Sequence, residues 1–210
     1  HWKHRARAAA EFRRPLPLAA AGDAGAKKLA TGHSYTVGGW VGPPGINRKE
    51  DAWWWFAEDL MNYQDHPVAK EILACAGGLD GAPSAKVSPL ELLTGYIILN
   101  NLITKIIGAG TSWTAPARTD NLGNQYIVTK HYTGRWPGAA ILMAMASILL
   151  ATGAYVELAH HPRERNTWAD DLANLDTAGF NQQRRHRPSA ANMRNEHSDF
   201  LAELPAKGRQ

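Results

Sequence analysis

The chain has almost no cysteine, and this scarcity removes two classes of site. Cys75 is the only cysteine in 210 residues, so an intrachain disulfide and a metal site built from cysteine thiolates are both excluded. The sequence also contains no phosphate-binding glycine loop, no G-x-S-x-G and no H-E-x-x-H motif. Its acidic residues are scattered, and their spacing alone brings no two of them together. We therefore expect a protein that is not an enzyme.

Acidic residues are scarce at the start of the chain, where the basic residues before position 30 face only Glu11 and Asp23. Segment 1–46 is rich in Gly, Pro and Ala and ends in GGWVGPPGIN, a composition that disfavours regular helix. We predict that residues 1–46 form a basic extended arm, with the composition of an organelle-targeting remnant. Because the net charge of +4 is modest and much of the excess lies in this arm, we expect no nucleic-acid partner.

Charged side chains are missing from the long run between Arg135 and Glu157. A membrane-spanning helix needs about 20 apolar residues, and the run meets that length. We predict a transmembrane helix over residues 135–159, with an Ala-rich helix of a soluble bundle as the alternative. Small residues recur at three- and four-residue intervals and predict a face for close helix packing; they are Ala140, Ala144, Ser147, Ala151 and Ala154.

A second apolar segment, SPLELLTGYIILNNLITKIIGAG, begins with a capping-box pair, Ser88 and Glu91. Its uncharged core is too short to cross a membrane by itself, but Lys105 can extend towards the headgroups and the apolar character continues beyond it. We predict a first transmembrane helix over residues 89–110. The polar segment 111–134 then forms the loop between the two spans.

Segment 47–78 contains three consecutive tryptophans. Asn47 and Glu50 form another capping-box pair, which predicts a helix through DAWWWFAEDLMNYQ. Consecutive residues of a helix point about 100° apart, so three adjacent indoles cover most of its circumference. We therefore predict amphipathic helices at the membrane interface, where indole rings are favoured. The predicted interfacial anchors are Trp40, Trp53, Trp54, Trp55 and Trp136.

The last segment, 160–210, mixes both signs of charge with few apolar residues and cannot form a core of its own. Its hydrophobic residues are spaced like contacts laid across the surface of another protein. We predict a partner-binding tail, and a disordered tail is the alternative. The predicted fold is thus an all-α membrane protein: a two-span transmembrane helical hairpin with an interfacial amphipathic helix and long extended N- and C-terminal arms.

Polar residues inside or beside the predicted spans call for partners. Chlorophyll magnesium accepts one axial ligand from a side chain such as His, Glu or Asn, so chlorophyll is a candidate cofactor, with carotenoid and lipid beside it. The candidate ligands are His66, Asn100, Asn101, Glu157, His160 and His161. The asparagines could instead bond a neighbouring helix, and the histidines could lie among lipid headgroups. A catalytic metal at Glu157 and His161 is a weaker alternative.

One stretch resembles a known family. GGWVGPPGI, followed by WWWFAEDLMNYQDHP and an apolar segment, resembles photosystem I subunit O, a small two-span thylakoid protein. The counterparts in this chain are Gly39, Trp40, Pro43, Phe56, Glu58 and His66. The resemblance implies a non-catalytic accessory subunit of a photosynthetic supercomplex in the thylakoid membrane of the plastid, which stabilises assembly or antenna docking and binds chlorophyll.

The expected partners are other subunits of a large membrane complex, light-harvesting antenna proteins and membrane lipids. An accessory subunit of a mitochondrial respiratory complex or ATP synthase, in the mitochondrial inner membrane, is the first alternative. A soluble enzyme is the second.

Overall fold

The computed structural model describes residues 14–30, 32–63, 70, 73–74, 86–103 and 113–187. Within these residues the strands are β1 (Arg14–Pro15), β2 (Ala19–Leu29), β3 (Gly32–Gly42), β4 (Trp54–Asp59), β5 (Trp113–Thr119) and β6 (Tyr155–His160). The α-helices are α1 (Val87–Ile97), α2 (Leu122–Lys130), α3 (Gly138–Thr152) and α4 (Thr167–Ala173). A π-helical turn, Ile98–Ile103, continues α1.

All six strands belong to one mixed sheet. β2, β3 and β4 form an antiparallel meander. β5 runs parallel to β6 along one edge, and on its other edge it pairs with β1 and then with β2. The order across the sheet is therefore β4-β3-β2-β5-β6, with β1 preceding β2 beside β5. The neighbours β2 and β5 are far apart in sequence, so a crevice can open where these two parallel strands diverge.

The two faces of the sheet carry two separate cores. One core includes Val37 and Phe56 and the buried side chains of α1 and α3, and the other includes Trp40, Trp55 and α4. Neighbouring residues of a strand point to opposite faces, so a single strand supplies both cores. Helices thus cover both faces of the sheet, which makes the fold a three-layer α/β arrangement rather than the predicted all-α hairpin.

The two predicted spans are wrong. Within the described part of the chain, none of the helices combines the length and apolar character that crossing a membrane requires. The second predicted span contains α3, which has only 15 residues and ends at Gly153 in the left-handed conformation, with φ of 65°; the chain then continues as strand β6. The first overlaps α1, which begins at Val87 and has 11 residues, and positions 104–110 of that span lie outside the described residues.

The predicted thylakoid location, and the mitochondrial alternative, rested on those two spans and are not supported. Membrane lipids as partners and the photosynthetic and membrane keywords rested on them as well. α3 looks like a span in sequence because it is apolar on nearly every side: Ile141 and Met145 are buried in the core, while Met143 and Leu150 are exposed. An apolar composition therefore does not distinguish a helix that crosses a membrane from a helix that packs on the core of a protein.

The predicted interfacial helix around the three tryptophans is also wrong, since Trp54 and Trp55 begin strand β4. Trp55 is fully buried in the core beside α4, and Trp54 packs against the core on the opposite face. The alternation of a strand separates adjacent indoles by about 180°, so each can enter a different core. Trp54 and Trp55 therefore fit a strand of a sheet that is covered on both faces, and Trp53, just before β4, packs against the same core as Trp54.

The long arms of the predicted fold are replaced by packed structure where the chain is described. β2 and β3 form a long antiparallel pair, in which Ala19 is opposite Gly42 at one end and Leu29 is opposite Gly32 at the other. Beyond α4, Phe180 is buried in the same core as Leu172, and the indole N–H of Trp55 donates a hydrogen bond of 2.8 Å to the backbone oxygen of Asn181. Leu172 and Phe180, which lie in the segment predicted to bind a partner, thus pack on this chain's own sheet, and positions 188–210 lie outside the described residues.

Gly38 on β3 is required by the close approach of α4. A Cβ atom at this position would overlap the backbone of Leu172 and Ala173. We expect Gly38→Ala to lower the free energy of unfolding by about 1–3 kcal/mol, because overpacking of this kind forces rigid neighbours apart. Urea denaturation would measure the change.

Gly95→Ala is the matched control. Among the described residues, a Cβ atom at Gly95, inside α1, meets only the end of Met145 at 3.9 Å. Alanine favours helix over glycine by about 0.5–1 kcal/mol. Gly95→Ala is expected to leave stability unchanged or to raise it. Equal destabilisation by both substitutions would contradict the close packing of α4 against Gly38.

Candidate metal centre

Three acidic residues from three different elements meet where β2 and β5 diverge. The only pair that joins these strands is Ala21 with Arg118. Asp23 lies two residues further along β2, and Asp120 directly follows β5. Glu91 lies on α1, which packs across this part of the sheet. The crevice is thus lined by carboxylates that are remote from one another in sequence.

The three carboxyl groups are close enough to share a cation. One oxygen of each residue lies within 4.8 Å of an oxygen of both others. Asp23 is buried, and Glu91 and Asp120 are half-buried. Asp120 Oδ1 is itself buried and has no hydrogen-bond partner among the described residues. A buried carboxylate oxygen without a partner is costly unless something compensates it.

Burial and the negative charge of neighbouring acids disfavour the charged forms of Glu91 and Asp23. Burial raises the pKa of Glu91 to about 8, and the negative charges of Asp120 and Asp23 contribute to that rise. Burial likewise raises the pKa of Asp23 to about 6, again with a contribution from Asp120. In the cation-free protein near neutral pH, Glu91 therefore retains a proton that an isolated carboxyl group would have lost.

The start of α2 holds Glu91 in place. Asn121 caps this helix, since its side chain accepts a hydrogen bond of 3.1 Å from the backbone N–H of Asn124. Asn124 in turn donates from Nδ2 to Glu91 Oε2 at 2.8 Å and to the backbone oxygen of Ser88 at 3.2 Å. Because Asp120 immediately precedes the cap, the same turn positions two members of the cluster.

A fourth acidic residue lies on α4. The negative charge of Asp170 raises the pKa of Asp23, and the positive charge of Arg163 lowers it. Arg163 Nη2 and Asp170 Oδ1 form an ion pair at 3.1 Å. Asn166, just before α4, donates from Nδ2 to the backbone oxygen of Gly22 at 3.4 Å, which ties this helix to the strand that carries Asp23.

The donor set fits a hard divalent cation such as Mg²⁺ or Mn²⁺. These cations prefer carboxylate oxygens, and Mg²⁺ is bound in proteins through few carboxylates together with water or substrate phosphate. A cation among the three acids would compensate the unpartnered Asp120 oxygen and relieve the repulsion. The predictions of chlorophyll, carotenoid and lipid as cofactors and of a protein that is not an enzyme are wrong, because the described residues instead bring together three carboxyl groups that could hold such a cation.

The polar residues suggested as chlorophyll ligands are spread over separate elements. Asn100 and Asn101 lie in the π-helical turn after α1, where Asn100 Nδ2 donates to the Tyr96 hydroxyl at 3.1 Å. Glu157 and His160 are exposed on β6 and point to opposite faces, and His161 follows, half-buried. His66 lies outside the described residues. The structure gathers none of the described ones at the acidic cluster, and their roles as individual ligands stay predictions.

The predicted anchors and packing residues also occupy different surroundings. Trp40 and Trp55 are buried, and Trp53, Trp54 and Trp136 are half-buried. Along and just after α3, Ala140, Ala144 and Ala154 are buried, whereas Ser147 and Ala151 are exposed. The small residues of this helix therefore do not share one packed face.

The acids of the cluster are not recognisable as a group in the sequence, because they are separated by strands and helices that come together only in the fold. One signal was present in the sequence. Asp23 interrupts the small-residue stretch AAAGDAGA, and a charged residue in such a stretch can indicate a functional position. Asp120 and Asn121 show another, an acid followed at once by a helix cap. Neither signal names its partners.

No protein-family model and no curated protein matches the sequence. Among solved structures, RNase H1 from the halophilic archaeon Halobacterium salinarum is 14% identical with a TM-score of 0.49, over 76% of this chain and 96% of that one. LC11-RNase H1, isolated from compost and solved with an RNA/DNA hybrid, is 14% identical with a TM-score of 0.47, over 75% of this chain and 94% of its own. LC9-RNase H1 is 13% identical with a TM-score of 0.47, over 92% and 87%.

The predicted resemblance to photosystem I subunit O is wrong. The matched structures named above are ribonucleases H, and the stretch that suggested the resemblance, from Gly39 to Glu58, folds into the strands β3 and β4 and the turn between them. At identities of 13–14% and TM-scores below 0.5, these similarities do not by themselves assign a function to this chain.

Proposed function

We propose that this chain is a divalent-cation-dependent hydrolase that cleaves phosphodiester bonds of nucleic acid. The observation that carries the proposal is the convergence of Asp23, Glu91 and Asp120, whose carboxylate oxygens lie within 4.8 Å of one another. Acidic centres of this kind occur in nucleases, polymerases and phosphatases. A bound Mg²⁺ or Mn²⁺ supplies a nucleophilic water and polarises the phosphoryl oxygens.

The residues of this chain have separable tasks in the proposed site. Asp23, Glu91 and Asp120 would hold the cation. Asn124 orients Glu91 through its 2.8 Å hydrogen bond. With a pKa of about 8 before the cation binds, Glu91 must release a proton to bind it, so occupation of the site is coupled to pH.

The surroundings of the acids favour an anionic substrate. Arg118, Arg163 and Arg165 have exposed side chains, and all three lie on the segments that frame the crevice, β5 and the turn before α4. A cation within the cluster and arginines at its rim together attract a polyanion. The expectation of no nucleic-acid partner is therefore wrong. It was based on the net charge of the chain, which does not show that arginines lie beside the acidic cluster.

The role of a non-catalytic accessory subunit in a photosystem is likewise wrong. It required two spans and a pigment, and the described residues form a sheet with an acidic centre. Subunits of a large membrane complex and antenna proteins lose their support as partners for the same reason.

Cleavage of a labelled oligonucleotide tests the proposal. The first substrate to test is an RNA/DNA hybrid, which is what LC11-RNase H1 holds in its structure, with single-stranded and duplex forms of each strand beside it. We expect cleavage with Mg²⁺ or Mn²⁺ and none with EDTA. Absence of cleavage of all these substrates, with the cations shown to bind, would contradict the proposal.

A further inference from the structure

A polar cavity lies on the α4 face of the sheet, and none of the three clustered acids lines it. Its volume is about 140 Å³, and its polar lining includes Trp40, Arg118, His161 and Arg165. The floor is formed by small residues of β2, among them Ala21. A cavity of this size exceeds the space that one water molecule needs.

The pairing of three strands explains why these side chains meet. Ala21 is the direct partner of Trp40 on β3 and of Arg118 on β5. Residues directly opposite each other in neighbouring strands project to the same face of a sheet. A large indole and a guanidinium therefore flank an alanine, whose short side chain leaves the space between them open.

The indole of Trp40 lacks a partner in this cavity. Trp40 is only 6% exposed, and its ring packs on Trp168 with 5.3 Å between ring centroids. Its Nε1 is buried and has no hydrogen-bond acceptor among the described residues. Because an indole N–H can only donate, the missing group must be an acceptor.

Positive charge converges on the same cavity. Arg118 and Arg165 both line it, and burial followed by the charges of these two arginines lowers the pKa of His161. Neither guanidinium group forms an ion pair with a residue that the structure describes. A buried donor and two guanidinium groups around an open space are complementary to an anion.

We propose that this cavity binds a phosphate group through the Trp40 indole N–H and the guanidinium groups of Arg118 and Arg165. In the nucleic-acid complex, which rests on the function proposed above, the group is a backbone phosphate next to the one that is cleaved. Asp23 lies two residues beyond Ala21 along β2, and Asp120, just after β5, lies two residues beyond Arg118, a step of about 6.6 Å in extended chain. This step is comparable to the separation of successive phosphates along one nucleic-acid strand.

Titration with inorganic phosphate tests the cavity without any cleavage. In the full ¹⁵N-labelled chain, with EDTA present, the indole N–H resonance of Trp40 is expected to move saturably as phosphate is added. Trp40→Phe assigns that resonance by removing it. Arg165→Gln should weaken phosphate binding about tenfold, whereas Arg135→Gln, at an exposed arginine before α3, should not change it. If no indole resonance titrates in the unmodified chain, the proposal is overturned.

Binding of an uncleaved hybrid identifies the source of the phosphate. In EDTA, Arg165→Gln is expected to raise the Kd for an RNA/DNA hybrid about tenfold and to reduce the slope of log K against log salt by about 1. Arg135→Gln is the control. If phosphate titrates Trp40 but the hybrid binds both variants alike, the nucleic-acid assignment is overturned. Neither measurement requires hydrolysis, so failure of the proposed activity would be seen separately.

Discussion

Glu91→Gln is expected to reduce cation-dependent hydrolysis by about a thousandfold or more and to stabilise the cation-free protein at the same time. The loss follows because a metal ion contributes several kcal/mol to transition-state stabilisation, and about 1.4 kcal/mol corresponds to a factor of ten in rate. The gain follows because glutamine removes a charge that burial and Asp120 disfavour while keeping an oxygen that can accept the hydrogen bond from Asn124.

The gain in stability should grow as the pH rises above 4.5, the ordinary pKa of Glu91, and should be largest above the pKa of about 8 that Glu91 has in the folded protein. At about pH 9 the unfolding free energy should rise by about 1 kcal/mol or more, which corresponds to a Tm higher by about 2–4 °C in a chain of this size. Thermal unfolding in EDTA measures the Tm, and the cleavage assay measures the rate. Opposite directions of the two effects distinguish a functional site from a residue required for folding.

Glu157→Gln is the matched control. Glu157 is exposed on β6 and is not part of the acidic cluster. The same change of charge there should therefore alter neither the Tm nor the rate. If Glu91→Gln lowered the Tm together with the rate, Glu91 would be a structural residue. If Glu157→Gln removed activity, the centre would lie elsewhere.

The affinity for the cation should increase steeply with pH. At about pH 6, two units below the pKa of Glu91, a proton competes with the cation by a factor of about 100, and this competition vanishes at about pH 9. The pKa of Asp23, about 6, adds a smaller contribution at the acidic end. We expect the Kd for Mn²⁺ to fall about 100-fold across this interval. Calorimetric titration at several pH values would measure it.

Proton release is the internal check on this pH dependence. Binding near neutral pH should liberate a proton, seen as a dependence of the apparent binding enthalpy on the ionisation enthalpy of the buffer. In Glu91→Gln, the slope of affinity against pH should become shallow between about pH 7 and 9, because the competing proton is gone. A Kd that does not vary with pH in the unmodified chain would show that the acids are already charged before the cation arrives.

The stability of the cation-free protein should change in the opposite direction. Glu91 has a higher pKa folded, about 8, than its ordinary value of 4.5, so the folded chain binds the proton more tightly than the unfolded chain does. The stabilisation of the folded state by protonated Glu91 is therefore fully present below about pH 4.5 and is lost as the pH rises through about 8. Saturating Mg²⁺ should restore stability at the alkaline end.

The sequence by itself determined the local features of this chain. The excluded disulfide depends on a count that folding cannot change. α3 was recognised as an apolar helical segment, and Gly153 ends it as a glycine at such a position commonly does. Asn121 caps α2 through its own side chain. These features depend on neighbours within a few residues, which is the range that a sequence pattern reports.

Only the tertiary structure decided what those segments pack against and which acids meet. An apolar helix looks the same whether lipid or a sheet covers it, and adjacent tryptophans suit an interfacial helix or a strand buried on both faces. Asp23, Glu91 and Asp120 come together because β2 pairs with β5 at Ala21 and α1 crosses them. Pairing between distant strands depends on the closure of long loops and on burial summed over the whole core, and no single segment of sequence carries that information.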